Sequence, residues 1–167
     1  MHKPAPANDA VDQAAFRQAM SLFATGVCVV SVLDDDDTPH GFTANSLVSV
    51  SLEPLLVCWS LQNSSTQFDL FAGAEEFAIS ILGQGQEELA TRYAARGNAL
   101  RDLADFGHTV RGLPVIEGAI ATVECRHWST YPAGDHTMIF GEVIGLASHP
   151  EEAPLGYFRG GFRKIAD

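Results

Sequence analysis

Basic residues are scarce in this chain: 10 Lys and Arg stand against 21 Asp and Glu, a formal net charge of −11. A surface of that sign repels phosphate backbones and the sequence shows no local basic patch, so nucleic acid is excluded as a partner. Long apolar runs are also missing. The longest candidate, near Ala119–Val123, is interrupted by Glu124, Arg126 and His127 and falls well short of the roughly 20 apolar residues a membrane span needs; no membrane partner is expected. The three cysteines, Cys28, Cys58 and Cys125, are odd in number and widely spaced among Val, Ile and Trp. That excludes a disulfide framework and reads as reduced core thiols in a cytoplasmic protein. Met1 to Asp9 lacks the apolar centre of a secretory signal, so residues 1–11 are expected as a loose tail on one domain spanning 1–167.

Two further signatures are incomplete. Gly83-Gln84-Gly85-Gln86-Glu87-Glu88 follows a strand pattern and precedes a helix, but Glu88 stands where a dinucleotide fingerprint needs its third glycine. Zinc spacing is absent as well: Cys125 and His127 fall on one strand face, and neither His108 nor His149 completes a ligand set. The run Asp34–Asp37 reads as a solvated loop tip rather than a cation site. No metal is expected.

What is present is a globular core, with 46% hydrophobic and 19% charged residues, and a succession of strand patterns with few helices. Asp12–Phe23 spaces Phe16, Ala19, Met20 and Phe23 as an amphipathic helix that Gly26 should end. Val27–Leu33, a turn over Asp34–Pro39 and His40–Val50 read as a hairpin. Leu55–Leu61 is a further strand, and Asn63-Ser64-Ser65 before Thr66-Gln67-Phe68-Asp69 predicts a capped short helix. Glu76–Leu82 (strand), Gln86–Ala95 (helix) and Asn98–Leu113 (loop or short helix) follow. Two long strands, Ala119–Tyr131 and His136–Ser148, and a short Gly-rich end, Gly156–Phe162, close the chain. Helices do not alternate regularly with strands, which disfavours a parallel Rossmann sheet and favours a closed or partly open barrel.

The stretch Gly41–Pro54 is rich in small hydroxyl and amide residues. Alone it reads as an exposed edge strand. Downstream, Ser60, Asn63, Ser64, Ser65 and Thr66 set hydroxyls and backbone N–H groups before a helix, where an anion is favoured. A small polar strand beside a phosphate cradle points to a flavin-sized ligand. His136 follows Asp135 directly, and side chains of adjacent strand residues face opposite ways, so no Asp–His pair is expected there.

From Ala14 to Arg163 the chain resembles the flavin reductase-like family, short NAD(P)H:flavin oxidoreductases that often feed two-component monooxygenases. Carrying the resemblance are Thr25-Gly26-Val27; Gly41-Phe42-Thr43-Ala44-Asn45-Ser46 with Ser49-Val50-Ser51-Leu52; Gly134-Asp135-His136-Thr137 with Gly141-Glu142-Val143; and Tyr157-Phe158-Arg159-Gly160-Gly161-Phe162. Two departures stand out: Glu53-Pro54-Leu55 has a single Pro where the family commonly has two, and Leu47 replaces a usual Phe. The resemblance implies a mainly β fold, an FMN-binding split β-barrel with a few short flanking helices, usually a homodimer. FMN or FAD would be held by Thr43, Ala44, Asn45 and Ser46, by Ser49, Val50 and Ser51, and by the loop carrying Ser60, Asn63, Ser64, Ser65 and Thr66. His136 would position the nicotinamide of NADH or NADPH without acid or base work, and Tyr157 and Arg159 would complete that pocket. The implied activity is NAD(P)H-dependent flavin reduction, with reduced flavin reaching a partner monooxygenase by diffusion. Two alternatives remain open: a tightly held flavin serving ferric iron or a corrinoid, and a non-catalytic flavin-binding protein.

Overall fold

The computed structural model describes residues 11–96, 101–149 and 151–165. Helix α1 (Gln13–Met20) starts at Asp12, whose Oδ1 accepts from the Ala15 N–H at 2.7 Å, as a side-chain N-cap does. It stops at Ser21 rather than Gly26, because Thr25–Gly26 is taken into a short strand, β1. Strands β2 (Cys28–Leu33) and β3 (Pro39–Ala44) form the expected hairpin. The expected continuous strand His40–Val50 is broken: β4 is Val48–Leu52, and Asn45–Leu47 carries the chain between them. Then come β5 (Leu55–Gln62), α2 (Phe68–Gly73), β6 (Glu76–Ile81), α3 (Glu87–Ala94), β7 (Phe106–His108) and β8 (Pro114–Ile116). The long strands are β9 (Ala121–Ala133) and β10 (His136–Ser148), and the chain ends in a hairpin, β11 (Leu155–Phe158) and β12 (Gly161–Lys164). Within the Asn98–Leu113 stretch, residues 98–100 lie outside the described residues, and Leu103–Asp105 makes one 3-10 turn. Among the described residues no helix is long and apolar enough to cross a membrane.

The main sheet has seven strands in the order β3-β2-β6-β9-β10-β5-β4, with β3 and β4 at its two ends. Laid flat, seven strands would separate those ends by about 29 Å at about 4.8 Å per neighbour. The link from Ala44 to Val48 spans at most about 14 Å even fully extended. The sheet therefore curls almost shut, and the split lies where Asn45–Leu47 crosses it. Beyond the start of the β4–β5 ladder at Val48 and Cys58, a side chain takes over the pairing: Ser46 Oγ accepts from the Ser60 N–H at 3.0 Å.

Inside the curl lies one core, with Trp59 of β5 packed on Phe42, Phe71 and Phe77. A second cluster joins α3 and the C-terminal hairpin to the outer face of β2. Cys28, Val30 and Val32 face the first cluster, while Val27 and Val29 face the second. Burial on both faces is what an unalternated β-branched run calls for. On β2 and β6 the buried Ser31 donates to the Pro114 carbonyl (2.6 Å) and Ser80 accepts from the Ile116 N–H (3.0 Å), so both hydroxyls pin β8.

The Asp34–Asp37 turn is more than a solvated tip. Asp34 Oδ1 accepts from the N–H groups of Asp36 (3.0 Å) and Thr38 (2.9 Å), and Oδ2 lies 2.8 Å from His40 Nε2. The hydrogen bond with His40, then that from Thr38, lowers the Asp34 carboxyl from its ordinary 3.8 to about 2. A depressed carboxyl contributes stability that is whole above the unfolded value and lost as pH falls through the folded one. Asp34→Asn should therefore melt below the wild type at neutral pH, and the gap should close between about pH 4 and 2. Thermal melts of both proteins across that range check this; a gap that persists at pH 2 would assign the effect to something other than charge.

Candidate functional site

Two connected grooves open at the split. The larger, about 890 Å³, lies between α1, the crossing Asn45–Val48 and the β11–β12 turn, and the smaller, about 410 Å³, runs along Thr43–Asn45 to Phe162. Asn45, Tyr157 and Gly160 line both, and Asn45 also reaches a narrow cleft of about 130 Å³ beside Cys28 and Ile81. Among the described residues no Asp or Glu lines either groove, while Arg17 and Arg159 line the larger. In a chain of net charge −11 this lining favours an anion. A separate hollow of about 670 Å³ beside α3 carries Glu87, Glu88 and Asp102 along with Arg92 and Arg101. Arg92 is matched to Asp105 at 2.6 Å, so that surface is acidic and unsuited to phosphate.

The structure thus brings together Thr43, Ala44, Asn45, Ser46, Tyr157 and Arg159. Ser60 joins them through its bond to Ser46. The Thr43 hydroxyl itself is committed to the protein, donating to the Ala90 carbonyl at 2.7 Å. Ser49, Val50 and Ser51 lie along β4, lining neither groove, and Ser51 Oγ accepts from the Glu53 N–H.

A second group forms at the far end of β5. Asn63 is bound to the β9–β10 turn: its N–H donates to the Asp135 carbonyl (2.9 Å), its Nδ2 to Gly134 (3.3 Å), and its Oδ1 accepts from Thr137 Oγ1 (2.8 Å). Helix α2 begins at Phe68 with Gln67 as an N-cap whose side chain makes no capping bond, two residues later than the Ser64–Thr66 pattern predicts. Ser65 Oγ instead accepts from the Gln67 N–H at 3.2 Å, a local turn.

His136 corrects an expectation. Its Nδ1 lies 2.8 Å from Asp135 Oδ1, although adjacent strand residues should diverge. Asp135 belongs to the turn, after Gly134 at φ +66°, so strand alternation does not govern it. The hydrogen bond and charge of His136 hold the Asp135 carboxyl below the usual carboxylate range, with Arg17 adding to the effect. A carboxylate only accepts, so Nδ1 carries the hydrogen and Nε2 is the free ring atom.

The structure adds three features to what the motifs say. Arg17 and Phe16 of the opening helix, and Phe23 just after it, wall the larger groove. Thr25 Oγ1, also lining it, is buried without a hydrogen-bond partner among the described residues. Arg159 has φ +52° and Gly160 φ +74°, the left-handed pair of a two-residue hairpin turn where Asn-Gly is the low-energy choice. Burial disfavours the thiolate at all three buried cysteines, pushing Cys28 and Cys125 up to about 12 and raising Cys58. At Gly83-Gln84-Gly85, the Gly83 N–H donates to Gln86 Oε1 and the Gln84 N–H to the Ala153 carbonyl, so donors that a pyrophosphate would need are spent.

Residues 20–166 match the family described as flavin reductase like domain. The FMN reductase (NADH) SmoA of Agrobacterium fabrum is 42% identical over 151 residues, 90% of this chain and 85% of that one. The NADH:riboflavin 5'-phosphate oxidoreductase of Streptomyces pristinaespiralis is 38% identical over 161 residues, covering 94% and 90%. The solved structure of the Streptomyces globisporus C-1027 NADH:FAD oxidoreductase SgcE6 superposes with a TM-score of 0.87 at 35% identity, covering 98% of each chain.

Proposed function

Because the chain belongs to the flavin reductase-like family, we propose that it reduces FMN or FAD with NADH or NADPH, the hydride passing to flavin N5, and supplies reduced flavin to a monooxygenase. The observation that carries this reading is the carboxylate-free groove at the split, where small residues at 43–46 leave room for a flat ring and Thr25 Oγ1 is an unpaired polar atom on its wall. Ala44 to Ser46 would hold the ring and Phe16, Met20 and Phe23 would exclude water from its edge. When bound, the flavin supplies the hydride acceptor, and two electrons leave the nicotinamide with the hydride. No general base is needed, only stacking at near-attack distance. Tyr157 offers an aromatic face, Arg159 a charge for phosphate, and His136 Nε2 a contact to the nicotinamide. Ser49 to Ser51 and the Ser60–Thr66 loop remain the flavin residues that the family resemblance implies. Steady-state oxidation of NADH and NADPH with FMN, FAD and riboflavin, in air and anaerobically, tests the reading; no oxidation with any flavin would sink it.

Assembly belongs to the same proposal. The outer strand β4 exposes Val48, Val50 and Leu52 next to Leu55, an apolar row that a second copy would cover in a homodimer burying about 1,600 Å² or more. Three buried free thiols fit a reducing cytoplasm.

Left-handed Arg159 carries strain of about 1–2 kcal/mol relative to glycine. Arg159→Gly should raise stability by about 1 kcal/mol while raising the KM for NADH. Denaturant melts beside steady-state kinetics check it: stability and KM moving in opposite senses to this would remove Arg159 from the site.

A further inference from the structure

Arg17 lies in the last turn of α1 and lines the larger groove. Its carbonyl accepts from the Ser21 N–H at 2.9 Å, and the Ser21 carbonyl accepts from the Arg159 N–H at 2.8 Å. That clip ties the end of α1 to the β11–β12 turn, so both arginines stand on directly joined backbone. Neither forms an ion pair with a carboxylate among the described residues, whereas Arg92, Arg111 and Arg126 each do. Arg17 and Arg159 both line the same groove, and its wall therefore carries positive charge that an anion lying along it would offset. Gln18, Ser21 and Ser46 line the same groove and add neutral donors. Arg17 also acts electrostatically on Asp135, the partner of His136. Helix α1 buries none of its own residues.

We propose that Arg17 is a phosphate-binding residue, forming with Arg159 a two-guanidinium clamp for the phosphate or pyrophosphate of a nucleotide lying along Asn45 and Ser46. The inference rests on the reductase reading and adds to it a binding residue on the opening helix. Planar guanidiniums suit phosphate because each can offer two parallel N–H donors. The phosphate has two possible sources, the flavin nucleotide and the nicotinamide dinucleotide.

The test uses the full-length protein, with Arg17→Gln and Arg17→Lys beside the wild type. Flavin fluorescence gives the affinities for FMN, FAD and riboflavin. Steady-state rates compare NADH with 1-benzyl-1,4-dihydronicotinamide, a hydride donor without phosphate. If the clamp serves the flavin, Arg17→Gln weakens FMN and FAD about tenfold and leaves riboflavin unchanged. If it serves the dinucleotide, the KM for NADH rises about tenfold and the phosphate-free donor is unaffected. In either case Arg17→Lys recovers part of the loss, and about 0.5 M salt narrows the gap to wild type. Equal losses for ligands with and without phosphate, or no loss for any, would overturn the proposal. A wild type that binds FMN through Arg17 yet oxidises no NADH would instead overturn the reductase reading and leave the clamp standing.

Discussion

Trp59→Ala should destabilise the fold by about 3–5 kcal/mol, while Trp59→Phe should cost about 1 kcal/mol or less. Trp59 is 0% exposed and meets the rings of Phe42, Phe77 and Phe71 at centroid distances of 5.9, 6.0 and 6.1 Å. Truncation to alanine empties the middle of the curled sheet. Phenylalanine keeps most of the ring contacts and removes an indole Nε1 that has no hydrogen-bond partner among the described residues. Releasing a buried unpaired N–H recovers about 1–3 kcal/mol, which offsets the smaller ring. Because Ser60 follows Trp59 on β5 and meets Ser46 at the split, the alanine variant should also loosen the groove and weaken flavin binding. Urea unfolding at constant m value measures both variants. Equal costs for alanine and phenylalanine would mean that the indole N–H is satisfied.

Asn45→Ala should weaken flavin binding about thirtyfold, about 2 kcal/mol, with stability changed by less than about 0.5 kcal/mol. Asn45 is exposed, lines both grooves and the narrow cleft, and its side chain makes no hydrogen bond among the described residues. An amide offers donors and an acceptor together, the complement of a flavin pyrimidine edge that presents both. Asn45→Asp loses the donors and adds a charge, so it should lose about a hundredfold. Riboflavin should suffer as much as FMN, because the contact is to the ring. This separates Asn45 from Arg17, whose loss spares riboflavin. Fluorescence titration with thermal melts checks both, and unchanged affinity in the alanine variant would place the ring elsewhere.

Much of the site was legible because its residues are unusual by composition. The stretch Thr43, Ala44, Asn45 and Ser46 is small and polar where core strands are branched and apolar, and the structure sets those residues at the groove. The Tyr157–Phe162 hairpin was legible as a motif only, since nothing local in it says that the chain's end folds back beside residue 45. Asp135 and His136 show where a periodic rule stops: alternation holds inside a ladder, and Asp135 lies one residue outside it. Thr43 and Asn63 show another limit, because a hydroxyl or amide suited to a ligand is equally suited to a backbone carbonyl, and only the fold supplies Ala90 or Gly134.

The amino-acid sequence by itself determined the strand-rich character, the doubly buried β2, the absence of a basic surface and the small-residue crossing, because hydrophobic pattern, charge and side-chain size are local quantities. Tertiary structure decided the rest. Breaking His40–Val50 into two strands was a consequence of closing a seven-stranded sheet, a constraint set by strands far along the chain. The Asp12–Phe23 segment has an apolar stripe by periodicity, yet Phe16 and Met20 of α1 and Phe23 beyond it stay exposed and wall a groove, since periodicity states that a face is apolar and not what covers it. Arg17 and Arg159 are far apart in sequence and joined through Ser21 in space. Their common wall exists only once the C-terminal hairpin docks, because charge proximity between distant segments is a property of the folded chain.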